Sequence, residues 1–346
     1  MKGLKFLLPV FAALLAACSN DFEVTAPWKE VPVVYGILSA KDTANYIRVE
    51  KAFLDPDKSA LVIAQIPDSI YYPANAISVF LERPAMQSRV QLERIDGNLD
   101  GYPRDGGIFA SSPNWLYRLK TPPGGGLSPG ETYRLVIERA DGQPDITAQT
   151  TVPADFLFLS PSQAQTPPLI VFKAGTTTEF SWRADVNSAF FSLKGVIRYR
   201  EEAGNGTVLG HYSVQWTLAN NIPRGEFPTQ IGGQTFYRTS YKAPANELFR
   251  LLADSIAPTS DRFRYFEGSE FTLEGGGSEI RLYLENASAN SGITGSEILT
   301  TYTNLSEGFG IFTAKNTSTL NSVKILPETV NSMNDDVLTK PLNFRY

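Results

Sequence analysis

Short hydrophobic stretches alternate with turn-forming residues along most of the chain, and this pattern predicts β-structure. Val33 to Leu38 is a compact apolar run, whereas Ile77 to Arg83 and Tyr133 to Glu138 alternate in part between apolar and polar side chains. A period of two places one side chain in a core and the next in solvent, as a half-buried strand requires. Glycine, proline, asparagine and aspartate separate these runs at the spacing that antiparallel sandwiches show. The predicted fold class is therefore mainly β.

The pattern also predicts two β-rich domains. Residues 160–168 are rich in serine, glutamine and proline, which is the composition of a linker. We place an antiparallel sandwich over residues 30–156 and a second β-rich domain over residues 157–346. Pro129-Gly130 before one strand and Thr151-Val152-Pro153 at the end of another resemble immunoglobulin-like and fibronectin-type modules. That resemblance implies an immunoglobulin-like topology for the first domain.

Local patterns in the second domain predict individual elements. Asn205-Gly206, between two β-like runs, is the residue pair that tight hairpin turns favour. Apolar spacing predicts a helix over residues 246–256, and a second short helix starts at Pro327 and ends by Asn334. Residues 279–285 alternate and predict a strand, with Gly275 to Gly277 as the turn before it. The second domain is therefore predicted to be antiparallel β with one or two short helices.

The amino-terminal segment has the composition of an export signal. Lys2 and Lys5 precede an apolar run over residues 6–17, and Cys18 is the only cysteine. This run is shorter than the ~20 residues that cross a bilayer. The segment from Leu15 to Cys18 resembles the bacterial lipobox, which implies cleavage after residue 17, diacylglycerol on the thiol and an acyl group on the new amino terminus. An ordinary secretory signal with a chance cysteine is the alternative.

A polar tether is predicted over residues 18–29. Its first part consists of Ser19, Asn20, Asp21, Phe22 and Glu23. This string resembles the acidic export signal that follows the lipid-bearing cysteine in Bacteroidota surface lipoproteins, and the resemblance implies display on the cell surface. A solvated linker without a signal is the alternative. Because one lipid chain holds a protein reversibly and two or more hold it stably, a triacylated Cys18 would be a stable anchor.

Composition narrows the classes of function. The chain has 31 Lys and Arg against 36 Asp and Glu and no basic run, which argues against nucleic acid as a partner. Acylation of Cys18 would leave no free thiol. His211 is the only imidazole and falls in a strand pattern, so a Ser-His-Asp triad would have to use this residue and a histidine-rich zinc site is excluded. We expect His211 to be a surface residue of a strand.

Paired carboxylates are the remaining catalytic candidates. Glycoside hydrolysis needs two acids across a cleft, roughly 5–10 Å apart. Five glutamates lie close together in the sequence of the second domain: Glu267, Glu270, Glu274, Glu279 and Glu285. They are spread over predicted strands and glycine-rich turns, where acids are usually solvated. We therefore keep a carboxylate hydrolase as an alternative and expect no enzyme activity.

One loop has a partial metal-binding pattern. Asp96, Asn98, Asp100 and Gly101 match the first half of a calcium loop, in which oxygen ligands alternate and a glycine makes the turn. The twelfth position is Gly107, so the closing acid is absent. A polar connection between strands is the favoured interpretation, and calcium is the alternative. Apart from the covalent lipid on the cysteine, no other cofactor is predicted.

Three tryptophans lie within strand patterns. They are Trp115, Trp182 and Trp216, and Trp182, between Phe180 and Arg183, is expected in the core. Trp115 follows Pro113-Asn114 and is the candidate for partial exposure, since exposed aromatic side chains commonly hold sugars and protein partners. Core packing is the favoured interpretation for Trp115 as well.

The carboxy-terminal part has a wider resemblance. Tyr302-Thr303-Asn304, the run from Gly308 to Phe312, the end from Leu342 to Tyr346 and the early strand around Tyr35-Gly36 resemble a family of Bacteroidota outer-membrane and surface lipoproteins of unknown function. The resemblance covers most of the chain. It implies an all-β fold with an immunoglobulin-like first half, but no activity and no functional residues. The glycines of the run fit a tight turn or bulge that leads into a buried strand.

Together these observations predict a lipid-anchored outer-membrane protein, expected at the cell surface, that acts as a non-enzymatic binding or accessory module. The expected partners are an outer-membrane receptor or transporter, an extracellular polymer or another surface protein. The carboxylate hydrolase and a purely structural or adhesion protein of the envelope remain as alternatives.

Overall fold

A computed structural model describes residues 30–52, 58–120, 126–290 and 302–346. Cys18 and the string from Ser19 to Glu23 lie outside these residues, as do the predicted signal peptide and tether. Within the described ranges the chain is mainly β, as its hydrophobic pattern predicts.

Strands form most of the described part of the chain. In chain order they are β1 (Val31–Ser39), β2 (Ala44–Ala52), β3 (Ile77–Arg83), β4 (Ser88–Gln91), β5 (Glu93–Asp96), β6 (Trp115–Lys120), β7 (Thr132–Arg139), β8 (Ile146–Thr151), β9 (Leu157–Ser160), β10 (Leu169–Ile170), β11 (Thr177–Asp185), β12 (Phe190–Ala203), β13 (Val208–Pro223), β14 (Pro228–Ile231), β15 (Gln234–Pro244), β16 (Arg262–Phe266), β17 (Ser269–Gly276), β18 (Phe309–Ile325) and β19 (Phe344–Arg345). The α-helices are α1 (Ala60–Ile63), α2 (Pro67–Ile70), α3 (Ala245–Ser255), α4 (Ser278–Asn290) and α5 (Pro327–Asp335). Two 3₁₀ helices cover Pro84–Met86 and Lys340–Leu342.

One large sheet runs through both halves of the sequence. Its strand order is β19-β16-β12-β17-β18-β1-β2-β6-β5, and β13 and β10 add to β12 and β18. A four-stranded antiparallel sheet, β4-β3-β7-β8, covers one end of the large sheet, and the sheet β14-β15-β11-β9 covers the other. The molecule is therefore layered, with sheet packed on sheet over two separate cores.

The first core lies between β4-β3-β7-β8 and the β18-β1-β2-β6 part of the large sheet. Val34, Ile47, Leu135 and Ile137 are at most 1 % exposed within it. The second core is rich in aromatic rings and includes Trp182, which is fully buried against the edge of Phe191. The prediction that Trp182 packs in a core is confirmed, and Trp216 is buried in the same cluster.

Strand β18 belongs to both halves of the fold. Its first part pairs in parallel with β1, from Val33 opposite Phe309 to Ser39 opposite Lys315. Its second part pairs with β17 in the antiparallel sense, from Lys315 to Val323. Phe312 is buried in the first core, whereas Val323 is buried in the second. A strand near the carboxyl terminus therefore completes the sheet begun by the amino-terminal strand.

The Tyr302-Thr303-Asn304 motif has a structural role in this arrangement. The Asn304 side chain accepts a hydrogen bond from the Phe312 N–H at 2.9 Å and donates one to the Phe312 carbonyl at 2.7 Å. Ser306 exchanges hydrogen bonds with the backbone of Thr147 in β8. Leu305 between them is buried in the first core. The motif thus joins the β8 sheet to β18.

The hairpin and two helices predicted in the second half are confirmed. Strands β12 and β13 pair across Asn205-Gly206, and Gly206 has a φ of +84°, which a glycine adopts without strain. Helix α3 lies within one residue of its predicted position, and α5 ends one residue later than predicted.

The strand predicted over residues 279–285 is wrong, because these residues lie in helix α4. Alternating apolar residues mimic a strand there, but Ile280, Tyr283 and Leu284 also fall on one face of a helix. Leucine, glutamate, arginine and alanine favour helix, and Arg281 pairs with Glu285 one turn later at 2.7 Å. The described part of 157–346 therefore has three α-helices, where the pattern predicts one or two short ones.

Two further expectations for the second half need correction. Gly275 and Gly276 are not a turn but the end of β17, where added Cβ atoms would contact the rings of Phe191 and Phe190. The sheet is also not wholly antiparallel, since the pairs β1/β18, β10/β18 and β16/β19 are parallel. Parallel pairing joins segments that are far apart in sequence, and local periodicity carries no information about it.

Candidate functional site

A cleft of about 780 Å³ lies on the outer face of the large sheet. Its floor consists of residues on β1 and β2 that point away from the first core. Tyr35 and Ile37 on β1 are 40 % and 45 % exposed, whereas Val34 and Leu38, which flank them, are buried. Strand alternation therefore separates the cleft face of β1 from its core face.

Two walls rise from this floor. Helix α4 forms one wall with Ile280, Tyr283 and Leu284, the residues that share one face of the helix. The loop from Gly97 to Asn114 connects β5 to β6. Its first part, with Gly101, the exposed Tyr102 and Pro103, forms the other wall. The cleft thus combines segments that are separated by about half of the chain.

Two pairs of tyrosine rings line the cleft. The Tyr35 and Tyr283 rings meet edge to face, with centroids 6.2 Å apart, at the wall formed by α4. The Tyr46 and Tyr102 rings are tilted, with centroids 4.3 Å apart, at the loop wall. Such contacts hold the rings in defined orientations. The cleft therefore presents aromatic surface from two sides.

The loop wall is held by internal hydrogen bonds. Asp96 Oδ1 accepts the backbone N–H of Asn98 at 3.0 Å and that of Asn114 at 2.9 Å. The Asn114 side chain donates to the Tyr102 carbonyl at 2.8 Å. Asn98 Oδ1 accepts the N–H of Arg104 at 2.9 Å. These bonds place Tyr102 over the floor.

Asp100 ties the loop to the floor. Its carboxylate accepts the hydroxyl of Tyr46 at 2.8 Å and the guanidinium of Arg118 at 2.5 Å. The hydrogen bond from Tyr46, followed by that from Arg118, holds the pKa of the Asp100 carboxyl below its ordinary value. Burial, followed by the bond to Asp100, raises the pKa of Tyr46 to about 12. The phenol therefore remains a donor at physiological pH.

Tyr35 is also protonated at physiological pH. Burial, and then the hydrogen bond with Tyr283, raises the pKa of Tyr35 to about 12. The Tyr283 hydroxyl lies 3.4 Å from the Tyr35 oxygen. Both tyrosines on the floor are thus neutral across the ordinary pH range. The Tyr46 hydroxyl already donates to Asp100, whereas the Tyr35 hydroxyl accepts from Tyr283 and keeps its own proton for donation.

The cations around the cleft are paired with acids. Arg48 contacts Glu50 at 3.0 Å, and Lys315 contacts Glu274 at 2.6 Å. Arg118 lies between Asp100 and Glu93. Glu50 also contacts Arg104 at 2.6 Å, and Glu274 also lies 3.9 Å from Lys194. Each cation at the cleft therefore has an acidic partner, but the acids are shared.

The three calcium candidates lie in the loop wall. Asp96, Asn98 and Asp100 use their side-chain oxygens for the internal bonds described above. Among the residues that the structure describes, no group of three or more His, Cys, Asp or Glu side chains is arranged to hold a metal ion. The calcium hypothesis stays a prediction, while the observed contacts give the same residues a role in positioning Tyr102.

His211 and Glu267 are brought together on the surface. His211 Nδ1 lies 3.0 Å from both carboxylate oxygens of Glu267, and the imidazole is 66 % exposed. The other candidate glutamates contact separate partners: Glu270 with Arg198, Glu274 with Lys315, Glu279 with Thr313, and Glu285 with Arg281. The hydrolase hypothesis stays a prediction, and none of these glutamates is among the residues that line the cleft.

The tyrosines of the cleft were not predicted from the sequence. The candidate for an exposed aromatic side chain was Trp115, and this ring is half-buried, with the Arg94 guanidinium carbon 4.5 Å from its centroid. Tyr35 and Ile37 lie in a continuous apolar run, so the sequence carried no sign that they face outward on β1. Tyr46, Tyr102 and Tyr283 come from three other segments, and no local pattern connects them.

Comparison with known proteins identifies no family for this chain. No family model matches the chain, and no curated protein matches its sequence. In the described part of the chain, no helix has the length and apolar composition needed to cross a membrane.

Proposed function

We propose that this protein is a lipid-anchored binding module of the outer membrane, displayed at the cell surface, which holds an extracellular ligand in the tyrosine cleft. The cleft is the observation that carries the proposal. It is concave, lined by aromatic rings and bordered by a few fixed polar groups, as small-molecule and polymer sites commonly are. The anchor and the surface location rest on the lipobox-like segment and on the string from Ser19 to Glu23.

The proposal includes an immunoglobulin-like sandwich for residues 30–156. Two mostly antiparallel layers enclose the first core, and this supports the assignment. In such modules ligands are held on exposed faces and loops while the core provides rigidity. The Bacteroidota surface-lipoprotein resemblance agrees with a tethered module of this kind.

A non-enzymatic role is part of the proposal. Asp42 is the single carboxylate among the described residues that line the cleft, whereas glycoside hydrolysis requires two acids. The expected consequence of ligand binding is delivery to an outer-membrane receptor or transporter, or attachment to an extracellular polymer.

The cleft is tested with detergent-solubilised full-length protein. We expect a ligand from a panel of glycans, peptides and small metabolites to bind to the wild type and to lose affinity in Tyr102→Ala. Calorimetry measures both affinities. If no class of ligand binds in a way that depends on Tyr102, the proposed function is wrong.

The anchor is tested separately in cells. Cys18→Ala should move the protein from the membrane fraction to the soluble fraction, because the acyl chains would be lost. Replacing Asp21 and Glu23 with Asn and Gln should leave the protein in the membrane fraction but reduce protease accessibility on intact cells. Immunoblots of the fractions measure both outcomes, and an unchanged distribution of Cys18→Ala would contradict lipid anchoring.

A further inference from the structure

We infer that the cleft binds a neutral oligosaccharide that spans at least two sugar units, an inference that rests on the binding role proposed above. The observation behind it is the placement of two tyrosine pairs on one sheet face. Tyr35 is opposite Arg48, and Tyr46 lies two residues before Arg48 on β2, so the two tyrosines are diagonal neighbours on adjacent strands. Diagonal neighbours are about 7–8 Å apart. Each pair can therefore contact a separate unit of one chain.

The chemistry of the rings fits sugars. A pyranose has a face of C–H groups that packs on an aromatic ring, and hydroxyls around its edge that both donate and accept hydrogen bonds. Tyrosine offers an apolar ring and a polar tip to such a ligand. Tyr102 is 52 % exposed and Tyr35 is 40 % exposed, so both rings have free surface.

The polar groups at the cleft include acceptors as well as donors. Asp42 lies exposed at the rim and has no hydrogen-bond or ion-pair partner among the described residues. Asn114 is 1 % exposed, and its Oδ1 has no hydrogen-bond partner among the described residues. Because that oxygen is closed off from solvent, the acceptor that a ligand hydroxyl can reach is the exposed Asp42 carboxylate.

The charge balance favours a neutral sugar over an acidic one. Arg48 and Lys315 line the cleft, but each is already paired with a glutamate at 3.0 Å or less. An acidic ligand would have to compete with those carboxylates and would also meet Asp42. A neutral ligand needs no rearrangement of these pairs.

Peptides fit this cleft less well. Both strands of the floor are paired on both edges, since β1 lies between β18 and β2, and β2 lies between β1 and β6. No free edge is therefore present there for strand addition. Aromatic grooves also take proline-rich peptides, but proline lacks an N–H donor. Such a peptide would leave the Asp42 carboxylate without a donor from the proline residues.

The test uses calorimetry with detergent-solubilised full-length protein. The probes are malto-, cello- and xylo-oligosaccharides, an oligogalacturonate and a proline-rich peptide. At least one neutral oligosaccharide should bind, and Tyr102→Ala should weaken that binding about tenfold or more. The matched variant Tyr102→Phe keeps the ring and should retain most of the affinity. Melting curves establish that both variants are folded.

Two further measurements test whether the ligand is neutral and whether it spans more than one sugar unit. The affinity should stay within about twofold when salt is raised, because a neutral ligand is not screened. Affinity should also rise from the monosaccharide to the longer oligomers. Tighter binding of oligogalacturonate, or a steep fall of affinity with salt, would overturn the inference.

The outcomes separate this inference from the proposed function. Binding of the peptide in a manner that depends on Tyr102 would overturn the oligosaccharide inference and leave the binding role intact. If no probe binds in a manner that depends on Tyr102, the oligosaccharide inference is overturned, and the proposed function is overturned as well only when the peptides and small metabolites of its wider panel also fail. Equal binding of a neutral sugar to the wild type and Tyr102→Ala overturns the assignment to this cleft.

Discussion

At the scale of single residues, the contact between Tyr46 and Asp100 joins the loop wall to the cleft floor. Tyr46→Phe keeps the ring beside Tyr102 but removes the hydroxyl that donates to Asp100 at 2.8 Å. Because this bond is the largest influence that lowers the pKa of the Asp100 carboxyl, we expect that pKa to rise toward its ordinary value. Carboxyl carbon NMR shifts followed against pH measure the change.

The lowered pKa of Asp100 also makes the free energy of unfolding depend on pH. The carboxyl of Asp100 has a lower pKa in the folded state than in the unfolded chain, so its contribution is present above the unfolded value of about 3.9. That contribution is lost as pH falls through the folded pKa, and it should be smaller in Tyr46→Phe. Tyr241→Phe is the control, because its hydroxyl bonds the Leu218 carbonyl and not Asp100. An unchanged pKa in Tyr46→Phe would contradict the assigned cause.

At the scale of secondary-structure elements, the start of β18 depends on glycines. Gly308 and Gly310 have φ values of +94° and +111°, and a Cβ at either position would overlap a carbonyl oxygen of β1, that of Pro32 or Val34. The expected tight turn or bulge therefore corresponds to a backbone conformation that only glycine tolerates next to a neighbouring strand. This explains why the glycines stand where β18 begins its parallel pairing with β1.

We expect Gly310→Ala to lower the free energy of unfolding by at least about 2 kcal/mol, since both the positive φ and the overlap with Val34 are unfavourable. Urea denaturation measures the change. Gly204→Ala is the matched control, because it has open space around it and no positive φ, and it should be nearly neutral. Similar stabilities of the two variants would contradict this account of β18.

At the scale of the whole molecule, β18 makes the first half dependent on the second. Residues 309–315 pair with β1, and Leu305, Phe312 and Ala314 are buried in the first core. Further contacts cross between the halves, including the buried Asn316 side chain, which donates to the Pro153 carbonyl at 3.0 Å. The predicted boundary at residue 156 therefore has a β-strand pairing across it.

We expect a fragment of residues 18–156, produced alone, to lack a cooperative unfolding transition, because one strand of its sheet and part of its core are missing. Near-ultraviolet circular dichroism and urea titration measure this. Joining residues 302–316 to the fragment through a flexible linker should restore the transition. A sharp transition of the unextended fragment would show that the first half folds without β18.

Local sequence patterns predicted some secondary-structure elements correctly and others wrongly. The hairpin at Asn205-Gly206 and helix α3 were predicted correctly, because turn chemistry and apolar spacing act over a few residues. Helix α4 was predicted as a strand, because Ile280, Leu282 and Leu284 alternate with the period of two that a strand has. Ile280, Tyr283 and Leu284 also fit the period of a helix, and the apolar pattern alone does not distinguish the two. The loop that carries Asp96 and Asp100 was interpreted as a polar connection between strands, with calcium binding as the alternative, and its observed contacts position Tyr102.

The sequence by itself determined that the protein is mainly β and that its alternating runs have one buried and one exposed face. Both properties follow from the order of side chains along a short segment. Only the tertiary structure decided that β18 lies between β1 and β17, and that Tyr35, Tyr46, Tyr102 and Tyr283 share one cleft. Alternation reports whether a side chain faces a core or solvent, but not which distant segment lies opposite it. The cleft depends on such long-range pairings, so it emerges only when the chain is folded.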